Sequence, residues 1–268
     1  MHLRRRNVIF ILAGIGLLAA VLAGVSATTR FVASKRTVSI SEKPADQIPR
    51  VVLWAWERPT DLSFVNPHQV AVAFLARSIR LRGDEVITRP RLQPLKLPEA
   101  TTVIAVARVE SDRARPPELS TQQREALSSA IAEMSSLPRV VSVQIDFDAT
   151  KTQRAFYREV INEVRKRLPQ RVGLSITALA SWCMDDDWLS DLPIDEAVPM
   201  LFRMAADGKQ IAGRLDDGED FNSSQCRRSY GISTIEPGPR LFSSRRVYVF
   251  SPDPWTDNSV RKILESIK

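Results

Sequence analysis

Hydrophobic and polar positions along the chain fall into three regimes. Residues 8–27 are uncharged and almost wholly apolar, residues 28–49 mix charge with two prolines and no clear periodicity, and from Val51 onward short β-rich runs alternate with helix-like stretches. The β-rich runs cover 51–57, 85–90, 101–110, 140–148, 172–180, 196–204, 229–236 and 245–251. Between them, Asn66-Pro67 supplies a cap and first turn for a predicted helix ending near Gly83. Ser120-x-x-Gln123 is a capping box ahead of Leu127, Ile131 and Met134 at helical spacing. Phe156, Val160, Val164 and Leu168 mark another helix that Pro169 stops, and Val260, Ile263, Leu264 and Ile267 mark a closing one.

Eight strand runs in alternation with helices require parallel strands and predict a single closed (β/α)8 barrel over 50–268. An open doubly wound sheet is the competing architecture. Against it stand the absence of a glycine-rich first turn and the charged or hydroxyl residues that end nearly every strand run.

The first two regimes bear on compartment. Twenty residues at 1.5 Å rise just cross a bilayer core of roughly 30 Å, so 8–27 reads as a signal anchor, or as a signal peptide cleaved near Ala27. Arg4, Arg5 and Arg6 precede it, which keeps that end cytoplasmic and places the residues beyond it in the periplasm or outside the cell. Residues 28–49 read as a polar tether. If uncleaved, 8–27 makes the inner membrane a partner.

Composition narrows the chemistry. The 38 Lys and Arg exceed the 31 Asp and Glu by seven, three of which lie before the apolar segment. The remainder is too mild to argue for nucleic acid. Neither glycine-built phosphate cradle motif occurs, and His2 and His68 are the only histidines, so no cofactor and no metal site is expected.

In a barrel, chemistry gathers where the strands end. Reading each run to its end assembles Trp56, Glu57 and Arg58, Arg89, Arg108 and Glu110, Asp146 and Asp148, Trp182, Arg203, Glu236 and Trp255. Acids for glycosidic chemistry, indoles for stacking on sugar faces and guanidiniums for carboxylates or acidic sugars make carbohydrate the expected partner. Along Ser142-x-Gln144-x-Asp146-x-Asp148 strict alternation sends the polar set into the barrel and Val141, Val143, Ile145 and Phe147 outward. The two aspartates are candidate catalytic carboxylates together with Glu57, or else acceptors for rim arginines such as Arg108 or Arg203. Trp56, Arg108, Glu110, Trp182, Arg203 and Glu236 are candidate substrate-binding residues, with ordinary packing as the competing role for Trp182. Cys183 and Cys226 lie outside the strand runs and either bridge two loops or stay as buried thiols.

The runs at 52–59 (VLWAWERP), 143–150 (VQIDFDAT), 174–183 (LSITALASWC) and 198–204 (VPMLFRM) resemble the bacterial exported family called domain of unknown function 3142. That resemblance implies export and brings no reaction or site residues. A wider similarity is to barrel glycoside hydrolases, including family 18 chitinases, whose fourth strand ends in Asp-x-x-Asp-x-Asp-x-Glu. Asp146-x-Asp148 matches its middle, while its first aspartate falls on Val143 and its glutamate, the proton donor, on Thr150. Any hydrolysis would therefore need another acid, from Glu57, Glu110 or Glu236.

Overall fold

A computed structural model describes residues 47–204, 206–240, 242 and 244–267. The apolar segment 8–27 and most of the 28–49 tether lie outside these residues. The chain enters on β1 (Val51–Ala55), makes the short β2 (Thr60–Asp61), and runs through β3 (Val70–Arg82). It then doubles back as β4 (Glu85–Pro90) and continues through β5 (Leu95–Lys96) to β6 (Val103–Ser111). Strand and helix then alternate through α1 (Thr121–Ala132), β7 (Val140–Phe147), α2 (Arg154–Arg167) and β8 (Gly173–Leu179). The short α3 (Ala180–Met184), β9 (Glu196–Met200), α4 (Gly208–Asp216), β10 (Ser229–Ser233), β11 (Arg246–Phe250) and α5 (Asp257–Ser266) complete the order.

Eight strands, β1, β3 and β6 to β11, are parallel and close on themselves. Closure is made by β1, which pairs with β3 from Val51↔Val70 to Ala55↔Phe74 and with β11 from Val51↔Val247 to Leu53↔Val249. The expected (β/α)8-type barrel is present, with two corrections. The helix predicted over 66–83 is the long strand β3. The run at 85–90 is not a barrel strand but β4, the antiparallel arm of a hairpin that pairs Arg77↔Pro90 through Arg82↔Glu85. The number of barrel strands still agrees, because β3 takes the place that β4 gives up. Among the described residues no α-helix follows β1, β3 or β10; α5, Trp255 and Leu62 cover β1, β3 and β11 instead.

Side-chain alternation builds two shells. Val143, Ile145 and Phe147 face outward against Leu127, Ile131, Tyr157, Val160 and Val164, all buried. Each large side chain so covered contributes roughly 1.5–3 kcal/mol. Inside, Val52, Trp54, Ile104, Val106, Val198 and Tyr248 pack around Ala71 and Ala73. Small residues on β3 make room for large rings, as close packing demands. Gly231 on β10 serves the same end, since a Cβ there would lie 3.0 Å from Trp54 Cη2. Lower in the barrel, Glu196 accepts from Arg246 Nη1 at 3.0 and 2.8 Å and from the Tyr248 hydroxyl at 3.1 Å, so this buried carboxylate is paired.

The hairpin is pinned from the helix side. Gly83 sits at φ +55°, a left-handed conformation suited to glycine in a two-residue turn. Gln123 Nε2, from the first turn of α1, donates to Gly83 O at 3.1 Å and Glu85 O at 2.9 Å. Ser120 Oγ accepts from Gln123 N at 3.2 Å, so the residues of the expected capping motif start α1 and hold the hairpin together.

Candidate active site

A cavity of about 870 Å3 opens at the C-terminal rim. Its floor is apolar and aromatic, with Trp54, Val106, Met200, Phe202 and Phe250; its walls carry Trp56, Glu57, Arg58, Ser78, Arg80, Arg82, Arg89, Arg108, Glu110, Asp146, Asp148, Arg203 and Asp207. Phe202 and Phe250 stack with ring centroids 5.5 Å apart.

Alternation on β7 delivers the two aspartates as expected, and Arg108 on β6 meets both. Its Nη1 donates to Asp146 Oδ2 at 2.9 Å, its Nη2 to Asp148 Oδ2 at 3.1 Å, and its Nε lies 3.5 Å from Glu110 Oε1. The register Arg108↔Asp146 places the partners on adjacent strands. Asp146 is buried, and its other oxygen accepts from the Thr177 hydroxyl at 2.7 Å. Burial pushes its carboxyl above the usual range, against the pull of Arg108 and Thr177. The Arg108 guanidinium is held cationic: burial works against its charge, and Asp146 and Asp148 outweigh it. Asp148 is half exposed, and its Oδ1 has no partner among the described residues.

Glu57 stands just past the end of β1, with Oε1 accepting from Ser78 Oγ at 2.8 Å. The loop that carries it is shaped by Arg91, whose guanidinium donates to the carbonyls of Ala55 at 3.3 Å, Trp56, and Arg58 at 2.6 Å. Arg203 occupies the left-handed region at φ +50°; Glu236 Oε2 accepts its backbone N–H at 2.8 Å, and its guanidinium lies 5.2 Å from the Phe250 ring centre.

The structure gathers Trp56, Glu57, Arg108, Glu110, Asp146, Asp148 and Arg203 into one cavity. It leaves out two expected substrate-binding residues. Trp182 is 3% exposed and packs edge-on to Trp188 at 4.8 Å under the Arg154 guanidinium, because α3 begins directly at the end of β8 and turns the indole into the core. Glu236 is occupied with the Arg203 backbone and does not line the cavity. Trp255 is likewise packed, donating Nε1 to Trp54 O at 3.0 Å. His68 is exposed in the turn before β3. Cys183 and Cys226 form a disulfide with Cα atoms 5.9 Å apart, tying α3 to the segment before β10.

The site also contains residues that the sequence does not reveal. Ser78, Arg80 and Arg82 line the cavity from β3, a segment whose pattern predicts a helix, and Arg91 shapes a loop from a distance in sequence that no motif encodes.

No protein-family model matches the chain, and no curated protein matches it.

Proposed function

We propose that the chain is a glycoside-hydrolase-like barrel that acts outside the cytoplasm on an envelope or extracellular glycan. The observation that carries this reading is the rim cavity in which Glu57, from the end of β1 and within electrostatic reach of Arg91, and Asp148, from the end of β7, each keep one oxygen without a hydrogen bond to any described residue. Hydrolysis of a glycosidic bond needs one carboxyl to protonate the departing oxygen and a second carboxylate on the other side of the bond. Asp148, fixed by Arg108, is assigned the base or nucleophile; Glu57 is assigned the proton donor. Asp146, whose two oxygens are both engaged, is a positioning residue that orients Arg108 and through it Asp148. Trp56 offers a ring for a sugar face.

A second reading is a non-catalytic saccharide-binding barrel. It draws support from the Arg108 cluster, in which Asp146 and one oxygen of Asp148 already serve as ion-pair acceptors. Turnover by the full-length protein over a glycan panel separates the two. On the hydrolase reading Asp148→Asn and Glu57→Gln each lower turnover by about 10²–10⁴-fold while glycan binding survives. Binding without turnover in the unmodified protein establishes the second reading.

The location follows from Arg4, Arg5 and Arg6 ahead of residues 8–27. A reporter active only in the periplasm, fused after Lys268, is expected to be active; an active cytoplasmic reporter at the same position reverses the topology. The resemblance to domain of unknown function 3142 belongs to this proposal and adds no reaction to it.

A further inference from the structure

Charges around the rim cavity are unequally used. Arg108 absorbs Asp146, Asp148 and Glu110, three carboxylates on one guanidinium. The neighbouring wall is the reverse. The β3–β4 hairpin pairs Ser78 with Arg89 and Arg80 with Ile87, and all four line the cavity. Arg80 and Arg89 make no hydrogen bond and no ion pair within 4 Å with any described residue, although the Arg80 charge, with that of Arg82, is felt by the Asp112 carboxyl. Arg58, on the loop after β1, lines the same cavity, and its guanidinium donates only to Ser251 O, at 3.4 Å.

Isolated arginines on an open surface are ordinary. Three around one concave site, none in an ion pair with a described residue, raise the local potential and the concentration of anions within it. A guanidinium fork matches a carboxylate in two parallel hydrogen bonds, which a neutral hydroxyl does not reproduce. Resting on the glycan reading above, we propose that the cavity takes an acidic saccharide, a glycan bearing uronate carboxylates, with the carboxylate held by Arg80 and Arg89 and a sugar ring against Trp56.

The test titrates the full-length protein with short oligomers of galacturonate and of mannuronate, with their methyl esters, and with inorganic sulfate. At least one acidic oligomer should bind about tenfold or more tightly than its ester, and added salt should erode that advantage. The double variant Arg80→Gln/Arg89→Gln should bind the acid no more tightly than its ester and keep the far-ultraviolet circular dichroism of the unmodified protein. Equal affinity for acid and ester, failure of both acids to bind, or indifference to the double variant overturns the proposal. Sulfate that binds as tightly as the oligomers overturns its saccharide part. Arginine-dependent uronate binding without turnover removes the hydrolase reading and leaves this one; turnover of a neutral glycan with no preference for acid does the opposite.

Discussion

The indole N–H of Trp54 donates to Gln144 Oε1 at 3.0 Å, joining β1 to β7 inside the barrel two residues before Asp146. Gln144 in turn donates to Ser175 Oγ at 3.4 Å, so three strands meet in one buried polar relay under the cavity. Polar groups in such a place are stable only when each finds its partner.

Replacing Gln144 with Leu keeps the volume and removes the acceptor. The Trp54 N–H is then left buried and unpaired, at about 1–3 kcal/mol. A loss of several degrees in melting temperature is expected, and an unchanged melting temperature would show that water replaces the amide.

The closeness of Gly231 to Trp54 gives a second expectation. Gly231→Ala puts a methyl 3.0 Å from the indole and 3.4 Å from Pro199 O, so thermal melting should fall by an amount equivalent to about 1–3 kcal/mol. Gly213 on α4 is the control: its Cβ position meets nothing within 4 Å, and Gly213→Ala should stabilise by about 0.5–1 kcal/mol.

Arg108→Gln strands the buried Asp146 carboxylate, at about 3–5 kcal/mol near neutral pH. The pH dependence has a definite sign. Burial raises the folded-state pKa of Asp146 above its unfolded value, so its contribution is fully present below about pH 4 and is lost as pH rises through the folded value. Removing Arg108 raises that value further. Urea denaturation should therefore show a wide gap between variant and parent at pH 7 that narrows toward pH 4. A gap that widens on acidification would contradict the placement of Asp146.

Residues 183 and 226, 43 apart in sequence, are joined by the disulfide. On the chain-entropy model the closed ring is worth about 4 kcal/mol. Cys183→Ser/Cys226→Ser should lower the melting temperature by about 10 °C in oxidising buffer, and a strong reductant should bring the parent down to the variant.

Most of the barrel is legible because β-branched runs end in turn residues and polar groups, and because alternation in VSVQIDFD leaves Asp146 and Asp148 a single face. β3 is not, for a reason that lies in the packing. Its Ala71 and Ala73 face the barrel interior, where Trp54 and Tyr248 take the space, and Asn66 Oδ1 accepts from His68 N at 3.0 Å in a turn resembling a helix start. Alanine after a capping residue signals helix when the neighbours that demand smallness are unseen. Gly83-Asp84 between two apolar-containing runs is the hairpin signal that the sequence does carry. Trp182 shows the other limit. An aromatic at a strand end has the same spelling whether it lines a rim or turns under it.

A closed barrel has no unpaired strand edge, and the hairpin gives one back. Among the described residues the outer side of β4 pairs with no other strand, leaving main-chain groups able to accept a strand from a second copy. β4 is only six residues long, ends at Pro90 and carries exposed Glu85 and Arg89, features that discourage such addition. One of the charges that discourage strand addition is thus an arginine assigned to the ligand. Exchanging it for an apolar residue to suit a neutral ligand would draw the protein toward self-association and aggregation.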